Sequence, residues 1–172
     1  MSNANQFAAI ERRLKKYVNK DIPAATRTAT NKAMSLAKTR LIRGVAKEAK
    51  VRPGAVRKRV KMIRASAKGP AKFVISRRGV SIIDLGARQN KRGVRAAGRQ
   101  FDRAFIGTVQ GGGRGYKQVL YRQGAARLPL WLPRIPIKMA VTRITPKVVA
   151  RVFNGHFERL YQHEIKRRSR RT

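Results

Sequence analysis

The apolar positions of this chain begin at helical spacing, shift to short runs and alternation after about Met62, and return to helical spacing near the end. In residues 5–20, Phe7, Ile10, Leu14 and Tyr17 recur every three or four residues, with Arg12, Arg13, Lys15 and Lys16 on the other side. That pattern predicts a short amphipathic helix. Asp21-Ile22-Pro23 punctuates it: Asp21 suits a cap, and Pro23 the first turn of a second helix. The second helix is expected to reach about Lys50, because Ala25, Ala29, Ala33, Ala37, Leu41, Val45 and Ala49 recur at every fourth residue. Each such step advances about 400°, so the row winds slowly around the helix. Small residues on an i±4 ridge admit the close approach of another helix, within the chain or from a neighbouring subunit.

Val51-Arg52-Pro53-Gly54 makes a turn into a short basic helix, in which Val56, Val60 and Ile63 read as core anchors. Lys72–Ser76 reads as a strand, Arg77-Arg78-Gly79 as a turn, and Val80–Leu85 as a second strand that Gly86 breaks. A polar loop carrying Arg88, Lys91 and Arg92 follows, until Gly93 turns the chain into Val94. Glycines at both ends can supply the positive φ of tight turns. Phe101–Val109 and Lys117–Tyr121 flank Gly111-Gly112-Gly113-Arg114-Gly115 and predict a long-looped hairpin. In 127–137, Pro129, Pro133 and Pro136 forbid a helix or a central strand and leave an extended arm. Its Leu130, Trp131, Leu132 and Ile135 either cover the chain's own sheet or form a subunit interface. Thr145-Pro146 is expected to open the last helix as N-cap and first-turn proline. Val149, Val152, Phe153, Phe157, Leu160, Tyr161 and Ile165 give that helix an apolar face, and a basic tail ends it.

The fold class expected is therefore α+β. A helical part at 1–64 precedes a mostly antiparallel β-rich part at 65–143, with extended hairpin loops and the arm at 127–137. A closing helix and basic tail take 144–172, all as one structural domain with arms.

Charge changes what this fold must do. There are 43 lysines and arginines against seven acids, a formal net charge of +36. Self-repulsion on that scale disfavours an isolated monomer and calls for a polyanion or an acidic neighbour. Nucleic acid is the commonest such partner, and an anionic membrane surface the other. No apolar run approaches the roughly 18 residues of a spanning helix, and no signal-peptide pattern opens the chain. Ser2-Asn3-Ala4 is compatible with a cloning scar. With no cysteine, disulfides and thiolate metal sites are excluded.

Catalytic chemistry has little to stand on. Glu11, Asp21, Glu48, Asp84, Asp102, Glu158 and Glu164 are scattered, with no pair at helical i, i+3 or i+4 spacing. Asp84 and Asp102, expected on adjacent strands, are the only conceivable metal-dependent nuclease pair. His156 and His163 lack the spacing and intervening glutamate of a zinc helix and read as surface or interface residues. The glycine cluster lacks the closing Gly-Lys-Ser/Thr of a phosphate-binding loop. The turn at Pro53-Gly54 mimics a helix-turn-helix, but its second helix offers only arginine and lysine, not the amides that read base edges. No catalytic, cofactor-binding or metal-binding residue is assigned, and no small-molecule substrate is expected.

Several blocks gain meaning from their order. Ala29-Thr30-Asn31-Lys32-Ala33 precedes Asp84-Leu85-Gly86-Ala87-Arg88-Gln89, then Arg92-Gly93-Val94, Ala104-Phe105-Ile106, Tyr121-Arg122 and Arg127-Leu128-Pro129-Leu130. Over roughly residues 25–135 the chain resembles the minor tail protein Z, or tail completion, family of long-tailed phages. The resemblance implies a structural virion protein at the head-proximal end of the tail, near the neck, made in the host cytoplasm and acting in head–tail joining. Because tail tubes are six-fold symmetric, it further implies a six-copy homo-oligomeric ring among other tail and neck proteins, without a cofactor. Residue by residue, the expected surface for genome DNA or acidic neighbours comprises Arg77, Arg78, Arg88, Lys91, Arg92, Arg95, Arg99, Arg103, Arg114, Lys117, Lys166, Arg167, Arg168, Arg170 and Arg171. Arg88, Lys91, Arg92, Arg95, Arg99 and Arg103 are expected to form one band. Contacts of this kind are independent of sequence and sensitive to salt. The alternative is a ribosome-associated or other RNA- or DNA-binding structural protein.

Overall fold

The computed structural model describes residues 3–76, 78–111, 114–122, 124 and 128–170, excluding the side chains of 3–5, 111 and 114. Of the expected cation set, Arg77, Arg171 and the Arg114 side chain lie outside the described residues. The fold is α+β, with helices at both ends and antiparallel ladders between them. Helix α1 spans Asn3–Lys16, α2 Ile22–Glu48 and α3 Pro53–Arg57. Among the described residues ten strands follow: β1 Val60–Ile63, β2 Lys72–Ile75, β3 Val80–Ser81, β4 Arg88–Asn90, β5 Gly93–Ala96, β6 Arg99–Asp102, β7 Ala104–Gly111, β8 Arg114–Arg122, β9 Leu130–Trp131 and β10 Arg134–Ile135. Helices α4, Lys138–Val152, and α5, Glu158–Ser169, close the chain.

The expected break between the first two helices is instead one wide π-turn, Tyr17–Asp21, where the N–H of Ile22 reaches back to the carbonyl of Tyr17. Pro23 explains the detour: it has no N–H to give the preceding turn, and a widened turn makes room for its ring. The last helix likewise begins earlier than expected. The N–H of Val141 bonds the carbonyl of Ile137 at 2.9 Å, so the helix starts just beyond Pro136. Pro146 lies inside α4, and the Thr145 hydroxyl bonds back to the carbonyl of Val141 at 2.7 Å, the bond of a mid-helix threonine and not of an N-cap.

The chain forms two units. The first comprises Met1–Arg40, Met62–Val74 and Pro146–Thr172, and the second Leu41–Lys61 and Ile75–Thr145. In the first unit, Ala33 and Ala37 of the four-residue row are buried with Val152, and Leu36, Phe73, Val148, Phe153, Phe157 and Leu160 pack around them. Alanine at those positions lets the bulky residues close over the helix backbone. A second π-turn at Phe153–Phe157 joins α4 to α5, and Phe153, Phe157 and Tyr161 stack in series at 5.7 and 6.0 Å. Asn31 clamps the backbone of Ala65, receiving its N–H at 2.8 Å and donating to its carbonyl at 3.1 Å.

In the second unit the strands make several small ladders, not the single sheet expected. β3 pairs with β10, β4–β5–β6 form a meander, and β7–β8–β9 form another. The apolar run Val80–Leu85 supplies only the two-residue β3 before a 3₁₀ turn, Ile83–Leu85, takes over. Gly86 ends that turn in the left-handed region (φ +75°), where a side chain would meet the guanidinium of Arg52. Ile82 and Leu85 are buried, but Ile63, read as a core anchor, ends β1 with more than a third of its surface exposed. The expected strand from Phe101 to Val109 is bent at Arg103, whose φ is +59°. The β7–β8 hairpin then pairs without a gap from Ala104↔Tyr121 to Gly111↔Arg114, while Gly112 and Gly113 of the glycine cluster lie outside the described residues. The proline arm lies along its own unit as two edge strands: Trp131 faces Tyr121 across β8, and Ile135 faces Val80 across β3.

Candidate polyanion-binding surface

The central motif is first of all a corner. Asp84 holds Lys58 at 2.6 Å, Leu85 is buried, and Gly86 admits Arg52. The Gln89 side chain then accepts the N–H of Ile106 at 2.9 Å, which ties β4 to the start of β7. Gly93 closes the hairpin: Asn90 Oδ1 receives the N–H groups of Arg92 and Gly93 at 3.1 and 2.9 Å. These bonds fix where the neighbouring cations stand.

Strand register then sorts the six expected band residues. Arg88 and Arg95 are direct cross-strand partners, and Gln100 stands opposite Arg95 on β6. Val94 and Ala96, on the other face of β5, are buried, so Arg88 and Arg95 share the solvent face. Like charges directly opposite repel one another. A bound anion would relieve that repulsion. Lys91 and Arg92 extend the positive edge at the exposed turn. Arg99 pairs with Ala96 and so belongs to the opposite face, where it donates to the carbonyl of Ala49 at 3.3 Å. Arg103 sits at the bend and lines a cleft of roughly 370 Å³ with Phe105, Arg122 and Gly124; the Arg122 guanidinium lies 5.7 Å from the Phe105 ring centre. The band is thus divided by the two-residue period of the strands. Arg78 and Lys117 are exposed, Lys117 opposite Thr108 on the β7–β8 hairpin.

A second cationic groove was missed in the sequence. Arg43, Lys47, Lys50 and Arg52 line a shallow cleft of roughly 520 Å³ whose floor is Ala46, Val51, Pro53 and Ala97. Part of the signal was present: Arg43 and Lys47 are four residues apart at the end of α2, hence on one helical face, while Lys50 follows in the turn beyond it.

The basic end of the chain is helical through Ser169. His163, Lys166, Arg167 and Arg170 line one shallow cleft of the first unit, at spacings of three, one and three. Beneath them Glu164 is fully buried and holds Lys32 at 2.5 Å and Arg167 at 2.8 Å. The hydrogen bond from the Lys32 ammonium holds its carboxyl below the ordinary value, outweighing the opposing effect of burial. Arg168 turns inward to the Thr28 hydroxyl at 3.4 Å, so not all of the expected tail cations face outward.

Asp84 stands on the 3₁₀ turn and not on a strand beside Asp102, so the expected pairing of the two on adjacent strands does not form. His156 Nε2 lies 2.8 Å from Arg40. Among the described residues no three metal-ligating side chains cluster, and no helix is long and apolar enough to cross a membrane. A family model described as prophage minor tail protein Z matches residues 7–172. The chain belongs to this family. No curated protein and no solved structure matches it. As a phage minor tail protein it has a structural role in a tail, among other tail proteins. The match takes in the alanine row, the corner, both meanders and the closing helices.

Proposed function

We propose that this minor tail protein Z acts at the head-proximal end of a phage tail, in the neck, as a non-catalytic ring of identical copies. Its positive face is turned toward genome DNA or an acidic neighbouring ring. The observation that carries the reading is the side-by-side placement of Arg88 and Arg95 on the solvent face of β4–β5, in a unit that also carries a groove lined by four more cations. In the same unit Glu48 and Asp84 are held by Arg143 and Lys58, and Asp102 is the acid that strand register puts on the same face as Arg95. The exposed Leu128, Trp131 and Leu132 support a contact between copies. A six-copy ring would match the symmetry of a tail tube. It would also concentrate the charge of +36 per chain around a channel that DNA must traverse.

The test is binding to a random-sequence DNA duplex as a function of salt. Arg88→Glu with Arg95→Glu is expected to weaken binding and to lower the slope of log affinity against log salt by about two. Arg99→Glu, on the opposite strand face, should lower it by less. An unchanged slope in the double variant removes DNA from the proposal.

A further inference from the structure

We propose that α1 is a docking helix for an acidic amphipathic helix of another tail protein. Phe7, Ile10, Leu14 and Val18 run along one side of α1 and the π-turn that continues it, and all four are exposed, Phe7 by 73%. Tyr17 lies between them, half-buried. Steps of three, four and three from Phe7 to Tyr17 are the spacing of a coiled-coil seam. An apolar stripe of this length left in water favours a partner.

Charge decides which partner. Arg12, Arg13, Lys15, Lys16 and Lys20 take the rest of the helix circumference. Of the acids within reach, Glu11 pairs with Lys15 at 2.6 Å, and Asp21 is buried. A second copy of α1 would set the same cations against one another. A helix with leucine-like residues on its seam and glutamate or aspartate beside it would cover the stripe and neutralise its flanks together. An anionic bilayer also attracts a basic amphipathic helix. The narrow seam spacing and the family's place among tail proteins favour a protein. This inference is independent of DNA binding by Arg88 and Arg95.

The experiment uses the full-length chain and a labelled three-heptad peptide with leucine at the seam positions and glutamate flanking them. Fluorescence anisotropy is expected to show binding that Leu14→Gln weakens by about tenfold, with Ile10→Gln adding a similar loss. Both residues are exposed, so the thermal midpoint should not move. A peptide with lysine flanks should fail to bind. A glutamate peptide without leucines should bind weakly and be indifferent to Leu14→Gln. The proposal is overturned if Leu14→Gln leaves the first peptide's affinity unchanged. It is equally overturned if the variant instead abolishes self-association in sedimentation, or binding to phosphatidylglycerol vesicles.

Discussion

Glu164 on α5 and Lys32 on α2 meet at 2.5 Å, and the carboxylate is fully buried while the ammonium reaches solvent. Arg167, one turn along, holds the other oxygen at 2.8 Å. Burying a carboxylate is tolerable only when its oxygens are satisfied by cations. This one anchors the helix that bears the basic cluster.

Removing that charge should loosen the first unit. Glu164→Gln is expected to cost about 2 kcal/mol at neutral pH, because a neutral amide replaces charge-assisted bonds. The folded carboxyl titrates below its ordinary value of 4.5, so its contribution is present above that pH and lost as pH falls through the folded value. Denaturant midpoints of both proteins across the acid range should therefore converge as pH drops below 4.5. A gap that stays constant into acid would show that the ionised pair contributes nothing.

How much of this was legible beforehand depends on period. The i+4 row from Ala25 to Ala49 needed no structure: its first six members are buried, and Ala49, just past the end of α2, is half-buried. The early start of α4 was legible but hidden by a stronger signal. Ile137, Ala140, Val141, Ile144 and Val148 already have helical spacing, yet Thr145-Pro146 has the form of a helix start. Gly44 even makes room for Ile144, since a methyl there would lie 2.9 Å from it. Strand β4 was not legible, because Arg88-Gln89-Asn90 contains no apolar residue and is held by its partners and by the Gln89 bond. The same blindness made one band of residues that lie on two faces. Which side chain of a polar strand points outward depends on register, and register was not available from composition.

Gly93 offers a sharper check of the hairpin. Its φ is +150°, and a methyl on it would fall on the carbonyl oxygen of Phe101. Gly98 is also left-handed, at +71°, but has open space around it. Gly93→Ala should therefore cost about 3 kcal/mol, strain and clash together. Gly98→Ala should cost about 1 kcal/mol from backbone strain alone. Urea midpoints of the two variants test the difference, and equal losses would mean that the β5–β6 ladder yields without penalty.

Trp131 tests the assembly. It lies on β9, the outer strand of the β7–β8–β9 ladder, and is 56% exposed, with Leu128 and Leu132 exposed near it. Ile135, four residues on, is buried against its own unit and is not available to a neighbour in this structure. Pro129 and Pro133 bracket β9, and proline has no N–H to extend a ladder, so the edge is guarded against strand addition. Contact between copies would then rest on side chains, and a tryptophan between leucines is the anchor such contacts favour. Trp131→Ala should cost the subunit's thermal stability less than it costs association, because more than half of the residue is exposed. Losing an anchor of about 2 kcal/mol should weaken association roughly thirtyfold. Sedimentation velocity, or the number of copies retained in purified tails, measures that loss. Assemblies of unaltered size would move the contact between copies away from the proline arm.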